Sequence, residues 1–220
     1  MTRFFYLFLF CSILTVTGCN KKDIKAGGEA GMLTWTLSKD GIFTVDGIGE
    51  MPDYWVTPTE NLPVWNILRN DIVKVIIGND VSKIGDYAFF RCSKMTSVTI
   101  GQSVISIGHD AFAGCSRLTS VIIPNSVTDI GYGAFYGCSD MKSVTIGKSV
   151  INIGDYTFSS CSNLAEIINQ QEIPCMLPIS AIEEVNTKTC ILYVPAGSIE
   201  NYRASRQWRD FENIKAISIN

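Results

Sequence analysis

The chain carries four copies of one 23-residue unit in unbroken register, beginning at Val75, Val98, Val121 and Val144. Read in columns, the copies align Ile77/Ile100/Ile123/Ile146, Val81/Val104/Val127/Val150 and Ile84/Ile107/Ile130/Ile153. A glycine column follows at Gly85, Gly108, Gly131 and Gly154. Then come a phenylalanine column (Phe89, Phe112, Phe135 and Phe158) and a cysteine column (Cys92, Cys115, Cys138 and Cys161). Ser93/Ser116/Ser139/Ser162 and the apolar column Met95/Leu118/Met141/Leu164 complete the set. A fixed period of this length predicts a solenoid, an α/β repeat fold in which each unit covers the apolar side of the next. The phenylalanine and cysteine columns are expected to form its structural ladder. One unit buries too few side chains to offset the entropy of ordering its own backbone, so the units must stack and the ends must be capped.

Within a unit, alternation predicts a short strand, with Val121 inward, Ile122 outward and Ile123 inward. Pro124 stands where the other units have Gly78, Gly101 and Gly147, and a place that accepts both residues is a turn. Val127 and Ile130 predict a second short extended stretch. At the glycine column a larger residue is expected to clash or to need an unfavourable backbone angle. A short helical piece is expected next, such as residues 132–137, with its phenylalanine and cysteine on one side. The constant serine after the cysteine reads as a turn or cap residue.

The pattern V-x-I-[PG]-x-x-V-x-x-I-G-x-x-[AT]-F-x-x-C-S, from Val121 to Ser139, resembles the BspA-like class of leucine-rich repeat proteins. It departs from the common leucine-rich repeat in lacking an asparagine ladder and in placing cysteine after the phenylalanine. Two flanking segments extend the resemblance to about residues 32–220. Thr34–Leu37 with Gly47–Tyr54 resembles the family's N-terminal hairpin, and Leu192–Ser198 with Tyr202 and Trp208–Phe211 resembles its C-terminal ending. The resemblance implies a bacterial surface or secreted protein that binds other proteins, host matrix proteins among them, with no enzymatic activity attached to the repeat and no cofactor.

Residues 1–18 hold one arginine, no acid and a nearly all-apolar run over 4–16. That run suits a signal-peptide core and is too short to span a bilayer. Val16-Thr17-Gly18-Cys19 resembles a lipoprotein processing box, which makes Cys19 the expected lipidation site; an ordinary secretory signal with an incidental cysteine is the alternative. The expected location is lipid-anchored at the bacterial outer membrane, on the cell surface, with the membrane contacted through the anchor alone. Residues 19–31 read as a flexible tether and 32–72 as an N-terminal cap, with a hairpin turn at Lys39-Asp40-Gly41. Trp35, Trp55 and Trp65 are expected to cover the open end of the stack. The four repeats occupy 73–166. Residues 167–220 read as a degenerate fifth unit and C-terminal cap: Ile167 and Ile173 keep register, and a one-residue insertion then brings Ile182 and Val185 into the phenylalanine and cysteine columns. A strand over 190–194 and a short helix from Ser198 to about Arg206 close the stack.

Composition excludes several functions. The formal net charge of -3 becomes about -4 without the Arg3-bearing leader, and no basic patch appears, which argues against nucleic acid. Four cysteines repeated along a line cannot converge on one metal ion, and parallel side chains fit a disulfide badly, so Cys92, Cys115, Cys138 and Cys161 read as buried free thiols. Cys175 and Cys190 flank an irregular segment, and a bridge between them is compatible with an oxidising compartment. The lone His109 shares a variable, solvent-pointing column with Asp86, Tyr132 and Asp155, and no familiar catalytic motif is present.

Two surfaces qualify as contact sites. Ile76, Thr99, Ile122, Thr145 and Ile168 hold the outward place of the main strand, either as a contact strip or simply because β-branched residues favour strands. Tyr87, Phe90, Tyr136 and Tyr156 in variable columns form a second candidate, since tyrosine often anchors interfaces. The sequence therefore predicts a protein-binding or adhesion module. Glycan-binding accessory and structural envelope lipoproteins stand as alternatives. A carbohydrate-active enzyme on a parallel β-helix is disfavoured, because the outward strand column offers no carboxylates.

Overall fold

The computed structural model describes residues 23–56 and 61–218. The processing box and Cys19 lie outside the described residues. Each repeat contributes one strand to each of two parallel stacks, and a turn segment closes the coil. The first stack runs β1 (Ile24–Ala30), β2 (Leu33–Ser38), β3 (Ile42–Asp46), β5 (Lys74–Ile77) and β7 (Ser97–Thr99). It resumes with β9 (Ser120–Ile122), β11 (Ser143–Ile146), β13 (Glu166–Asn169), β14 (Ile191–Val194) and β15 (Asn213–Ala216). β7 and β9 lie side by side without a paired ladder, so the face divides into two five-stranded sheets at the middle of the repeats. The second stack is a continuous sheet of β4 (Gly49–Glu50), β6 (Val81–Ile84), β8 (Ser106–Ile107), β10 (Asp129–Ile130) and β12 (Asn152–Ile153).

Between the repeats the register is 23 residues, as in Val144 beside Val121 and Ile130 beside Ile107. Like therefore stacks on like. Phe89, Phe112, Phe135 and Phe158 are all buried and form a column of near-parallel rings. Phe89 and Phe112 have centroids 5.3 Å apart, Phe112 and Phe135 5.3 Å, and Phe135 and Phe158 5.7 Å, with planes within 9°. Because equivalent rings translate as their units do, this spacing measures the local rise. It slightly exceeds the roughly 4.8 Å between hydrogen-bonded strands.

The glycine column is set by close approach. A Cβ on Gly131 would meet the Gly108 carbonyl carbon and the His109 nitrogen at 2.7 Å, and the other three glycines of the column face similar backbone contacts. The expected clash, not a left-handed angle, is the reason for glycine here.

The third segment of each repeat differs from the expected short helix. It is a run of turns in which left-handed residues recur, at Tyr87, Asp110, Gly133 and Tyr156 and again at Arg91, Gly114, Gly137 and Ser160. Phe89, Phe112, Phe135 and Phe158 are therefore carried by turns and not by helices, and so are the four cysteines that follow them. The backbone alternation sends every second N–H out of the coil. Those of Tyr87, Phe89 and Arg91 donate to the carbonyls of His109, Ala111 and Ala113, while those of Ala88, Phe90 and Cys92 bond within the turn. Further along, the Phe135 N–H donates to the Thr157 carbonyl and the Phe158 N–H to the Ala181 carbonyl. The turns thus build a third ladder between units. A spacing of three places Phe and Cys inward in such turns as it does in a helix, which is why the pattern alone does not separate them. Short helices do occur, but in the ends: 3₁₀ turns over Val64–Asp71 and Ile179–Ile182, and α1 (Ile199–Ala204).

The N-terminal end also departs from expectation. Residues 24–30, part of the expected tether, form β1 and pair antiparallel with β2. The hairpin β2–β3 turns at Lys39-Asp40-Gly41 as its sequence indicates. Trp35 and Trp65 are buried and pack on Phe43, and Trp65 continues the ring column over Phe89. Trp55, by contrast, is 45% exposed and does not seal the stack.

At the other end Ile182 and Val185 are buried in the phenylalanine and cysteine positions. Ile173 does not keep register: it is 80% exposed, and the chain turns inward at Gln171 instead. Buried Gln171 donates from Nε2 to the Val150 carbonyl and accepts the Cys175 N–H, while its own carbonyl accepts the Tyr202 hydroxyl. β15, which the sequence did not single out, adds a final parallel strand beside β14.

Candidate interaction surface

The strand face brings Ile76, Thr99, Ile122, Thr145 and Ile168 into one line, as alternation requires. Ile76 lies opposite Thr99, and Thr145 lies between Ile122 and Ile168. Ile122, at the division between the two sheets, is the most prominent at 68% exposed, whereas Ile76, Thr145 and Ile168 are half-buried by their neighbours. The line is longer than the repeats. Thr36 and Thr44 extend it at the N-terminal end, and Tyr193 and Lys215 at the C-terminal end. The same in–out alternation in Leu33–Ser38 and Ile191–Val194 carried that signal, although neither segment obeys the 23-residue period. A parallel line of Lys74, Ser97, Ser120, Ser143 and Glu166 runs beside it, so small hydroxyls fill its middle and charge sits only at its ends.

The aromatic candidates do not form one patch. Tyr87 and Phe90 pair edge-on at 5.5 Å, with the Arg91 guanidinium 4.9 Å over the Phe90 ring. Tyr156 pairs with Tyr132 at 5.4 Å, on later units. Tyr132, which the sequence placed only in the His109 column, is thus an aromatic member of this face, and Tyr136 is also exposed. The second repeat interrupts the series with Asp110 and Ala113 in the same columns. Burial raises the Asp110 carboxyl above its ordinary value, although a hydrogen bond with Tyr87 opposes the shift.

His109 has a structural task. It is exposed, but its Nδ1 accepts the Tyr132 N–H at 2.9 Å, which places the ring proton on Nε2. One unit earlier Asp86 Oδ1 accepts the His109 N–H at 2.7 Å, and before that Asp53 Oδ1 accepts the Asp86 N–H at 3.0 Å. A second such series uses Asn79 for the Gln102 N–H and Asn125 for the Lys148 N–H. These side chains satisfy turn amides that no strand ladder reaches. Their column mixes residue types, so repetition alone did not reveal it.

The cysteine column lies inside the coil. Cys115, Cys138 and Cys161 each donate a thiol hydrogen to the carbonyl of the phenylalanine one unit back (Phe89, Phe112 and Phe135), at 3.2–3.4 Å. Burial pushes the Cys92 thiol up to about 12 and that of Cys115 well above its ordinary value. Cys138 is raised as strongly, first by its hydrogen bond with Cys161 and then by burial. Such thiols are neither nucleophiles nor metal ligands at neutral pH. Cys175 and Cys190 are separate free thiols as well. Among the described residues no three His, Cys, Asp or Glu side chains gather as metal ligands would, and no helix is long and apolar enough to cross a membrane. An open depression of about 520 Å³ lies where the fourth repeat meets the fifth unit, lined by Tyr156, Ile179, Ser180, Glu183 and Asp210 among others.

Comparison with known proteins agrees with this architecture. Residues 69–192 match, in six copies, a family described as the BspA type leucine-rich repeat region. No curated protein matches the chain. Among solved structures, the pneumococcal vaccine antigen PcpA is 19% identical over 84% of this chain and 46% of its own, with a TM-score of 0.58, and shares the fold. A leucine-rich repeat protein from Eubacterium ventriosum is 29% identical over 66% of this chain and 44% of its own (TM-score 0.49). A leucine-rich cell surface protein from Faecalibacterium prausnitzii is 22% identical over 89% of this chain and 55% of its own (TM-score 0.43). The chain spans about half the length of each.

Proposed function

The chain belongs to the BspA-type leucine-rich repeat family, and from that premise we propose that it is a non-enzymatic surface lipoprotein whose strand face binds another protein. Repeats of this kind are interaction modules, and no enzyme family is indicated. The observation that carries the reading is the outward line from Thr36 to Lys215, divided only between Thr99 and Ile122, with hydroxyls and β-branched side chains at its centre. A face of this kind offers broad contact without a pocket, which suits a folded protein surface better than a small substrate. Lipidation of Cys19 and display at the outer membrane belong to the same proposal and rest on the processing-box sequence.

Pull-down of the intact protein against host matrix proteins, bacterial surface proteins and polysaccharides tests it. Ile122→Lys should abolish capture of a protein partner, while Tyr136→Ala on the turn face should leave it intact. The reverse pattern, with capture of glycans alone, would move the site to the turn face. There the Tyr132–Tyr156 pair and the depression bearing Glu183 and Asp210 supply the rings and carboxylates that sugars use. Turnover of any polysaccharide would overturn the non-enzymatic reading.

A further inference from the structure

The start of β1 shortens the distance between the proposed anchor and the folded protein. Cys19 and Ile24 are five positions apart, so their α carbons lie at most about 18 Å from each other whatever path the chain takes. A tether running to residue 31 would have reached roughly twice as far. The stack itself spans on the order of 40 Å from β1 to β15, at about 4.8 Å per strand. A body held by one end on a leash shorter than half its own length must keep that end at the bilayer.

That end exposes large apolar side chains outside its sealed core, as the far end does with Ile173, Met176 and Ile179, but the leash brings only the N-terminal set to the lipid. Met32, in the β1–β2 turn, is 86% exposed, and Ile48, in the β3–β4 loop, is 76% exposed. The two loops touch, since a Cβ on Gly47 would stand 3.3 Å from the Met32 carbonyl. Ile67 and Val64 project from the 3₁₀ turn that takes the place of a turn segment ahead of the first repeat, and Ile24 is exposed where the leash enters. Trp35, Phe43 and Trp65 already close the core beneath, so these side chains are not needed for packing. Lys21 and Lys22 fall within the leash and carry the sign that anionic headgroups attract.

We infer that the N-terminal end of the solenoid seats on the lipid surface through Met32, Ile48, Val64 and Ile67, so that the strand face stands away from the membrane with α1 and β15 outermost. The inference rests on the anchor at Cys19. Side chains of this kind enter the headgroup boundary when a covalent anchor holds them there, adding to a lipid attachment rather than replacing it. The outer edge of β1, which pairs with no strand among the described residues, is then covered by the membrane instead of inviting another strand.

The test uses the full chain recovered from membranes and reconstituted into phosphatidylethanolamine–phosphatidylglycerol vesicles, in a Cys175→Ser background. Ile48→Cys, Ile67→Cys and Asn201→Cys each carry an environment-sensitive fluorophore, and a lipid-borne nitroxide is the quencher. Quenching several-fold stronger at positions 48 and 67 than at 201 is expected. Replacing Met32 and Val64 by glutamate, both exposed and outside the core, should sharply reduce it at 48 and 67 without changing the folded signal. Mass spectrometry of the same sample reads Cys19. If Cys19 is lipidated but quenching is equal at the three positions, or strongest at 201, the seating is wrong while the anchor stands. An unmodified Cys19 removes the anchor itself.

Discussion

The four repeats and the unit that follows them solve the same packing problem in different chemistry. In the repeats the inward columns are apolar, apart from buried Thr157 and Ser159 in the fourth unit, and each residue rests on its own counterpart, so one solution is reused. In the fifth unit the strand column Ile77/Ile100/Ile123/Ile146 receives Asn169, fully buried, and Gln171 turns inward after it. A hydrogen bond from Gln171 to the fourth repeat, and one that its carbonyl accepts from Tyr202 of α1, replace the missing apolar contacts. Among the described residues, the only buried side-chain polar atoms without a protein partner are Asn169 Nδ2 and Trp35 Nε1, one near each end of the repeats. Repetition satisfies every group automatically, whereas a cap must satisfy its groups one at a time. The ends therefore carry the defects.

If that contrast is right, the largest loss follows from interrupting the ring column at its middle. Phe112 is stacked on both sides, between Phe89 and Phe135, so Phe112→Ala should cost about 3–5 kcal/mol in chemical unfolding. Ile182→Ala, beyond Phe158 at the last position of the same column, should cost clearly less, because one side of Ile182 meets the cap instead of another repeat. Equal losses would mean that the fifth unit is a full repeat energetically. The glycines give a second contrast. Gly131→Ala forces Cβ into the backbone of the preceding unit and should cost about 1–3 kcal/mol or more. Gly197→Ala, with nothing within 4 Å of its Cβ, should leave the melting temperature within a degree or two of the parent, a shift well below that produced by about 1 kcal/mol.

How far these features can be read from the chain follows the same division. The register, the inward columns, the glycine constraint and the outward line of Ile76, Thr99, Ile122, Thr145 and Ile168 are all legible, because a repeated position reports its environment four times over. The turn segment is not, since the inward spacing of Phe135 and Cys138, or of Phe158 and Cys161, fits both a helix and a ladder of turns. Only the left-handed residues distinguish the two, and Gly114, Gly133 and Gly137 are their visible trace. β1 reads as tether because Ile24–Ala30 holds two glycines and little apolar character. Its role is to pair with β2, where Gly28 lies against the Trp35 indole. Ile173 reads as inward only when the period is extended past the point where Gln171 and Pro174 redirect the chain. The line of side-chain acceptors through Asp53, Asp86 and His109 is invisible because different residue types perform one task.

Gln171 supplies the next test of the cap. Gln171→Met keeps volume but removes the donor to the Val150 carbonyl and the acceptor of the Cys175 N–H, leaving both backbone groups unpaired in a buried place. A loss of about 1–3 kcal/mol is expected. Hydrogen exchange should rise first in α1 and β14, before it changes in β5 to β11. A uniform rise across the stack would instead show that cap and repeats unfold as one cooperative unit.

The smallest loss of a bonded contact belongs to the first turn of the acceptor line, where Asp53 meets Lys83 at 2.7 Å and receives the Asp86 N–H. Partial burial raises the Asp53 carboxyl, but the bonds from Lys83 and Asp86 outweigh it and hold the group below its ordinary value. A depressed carboxylate contributes stability that is complete above the unfolded value near pH 4 and fades as pH falls through the lower folded value. Asp53 is half exposed, so solvent screening holds the contribution to about 1 kcal/mol or less. Asp53→Asn should therefore lower stability slightly at pH 7 and match the parent near pH 2, the difference shrinking further at high salt. A loss at pH 7 as large as that of Gln171→Met would place Asp53 among the groups that hold the N-terminal end together, and would erase the distinction between a line repeated along the surface and a cap bonded through its interior.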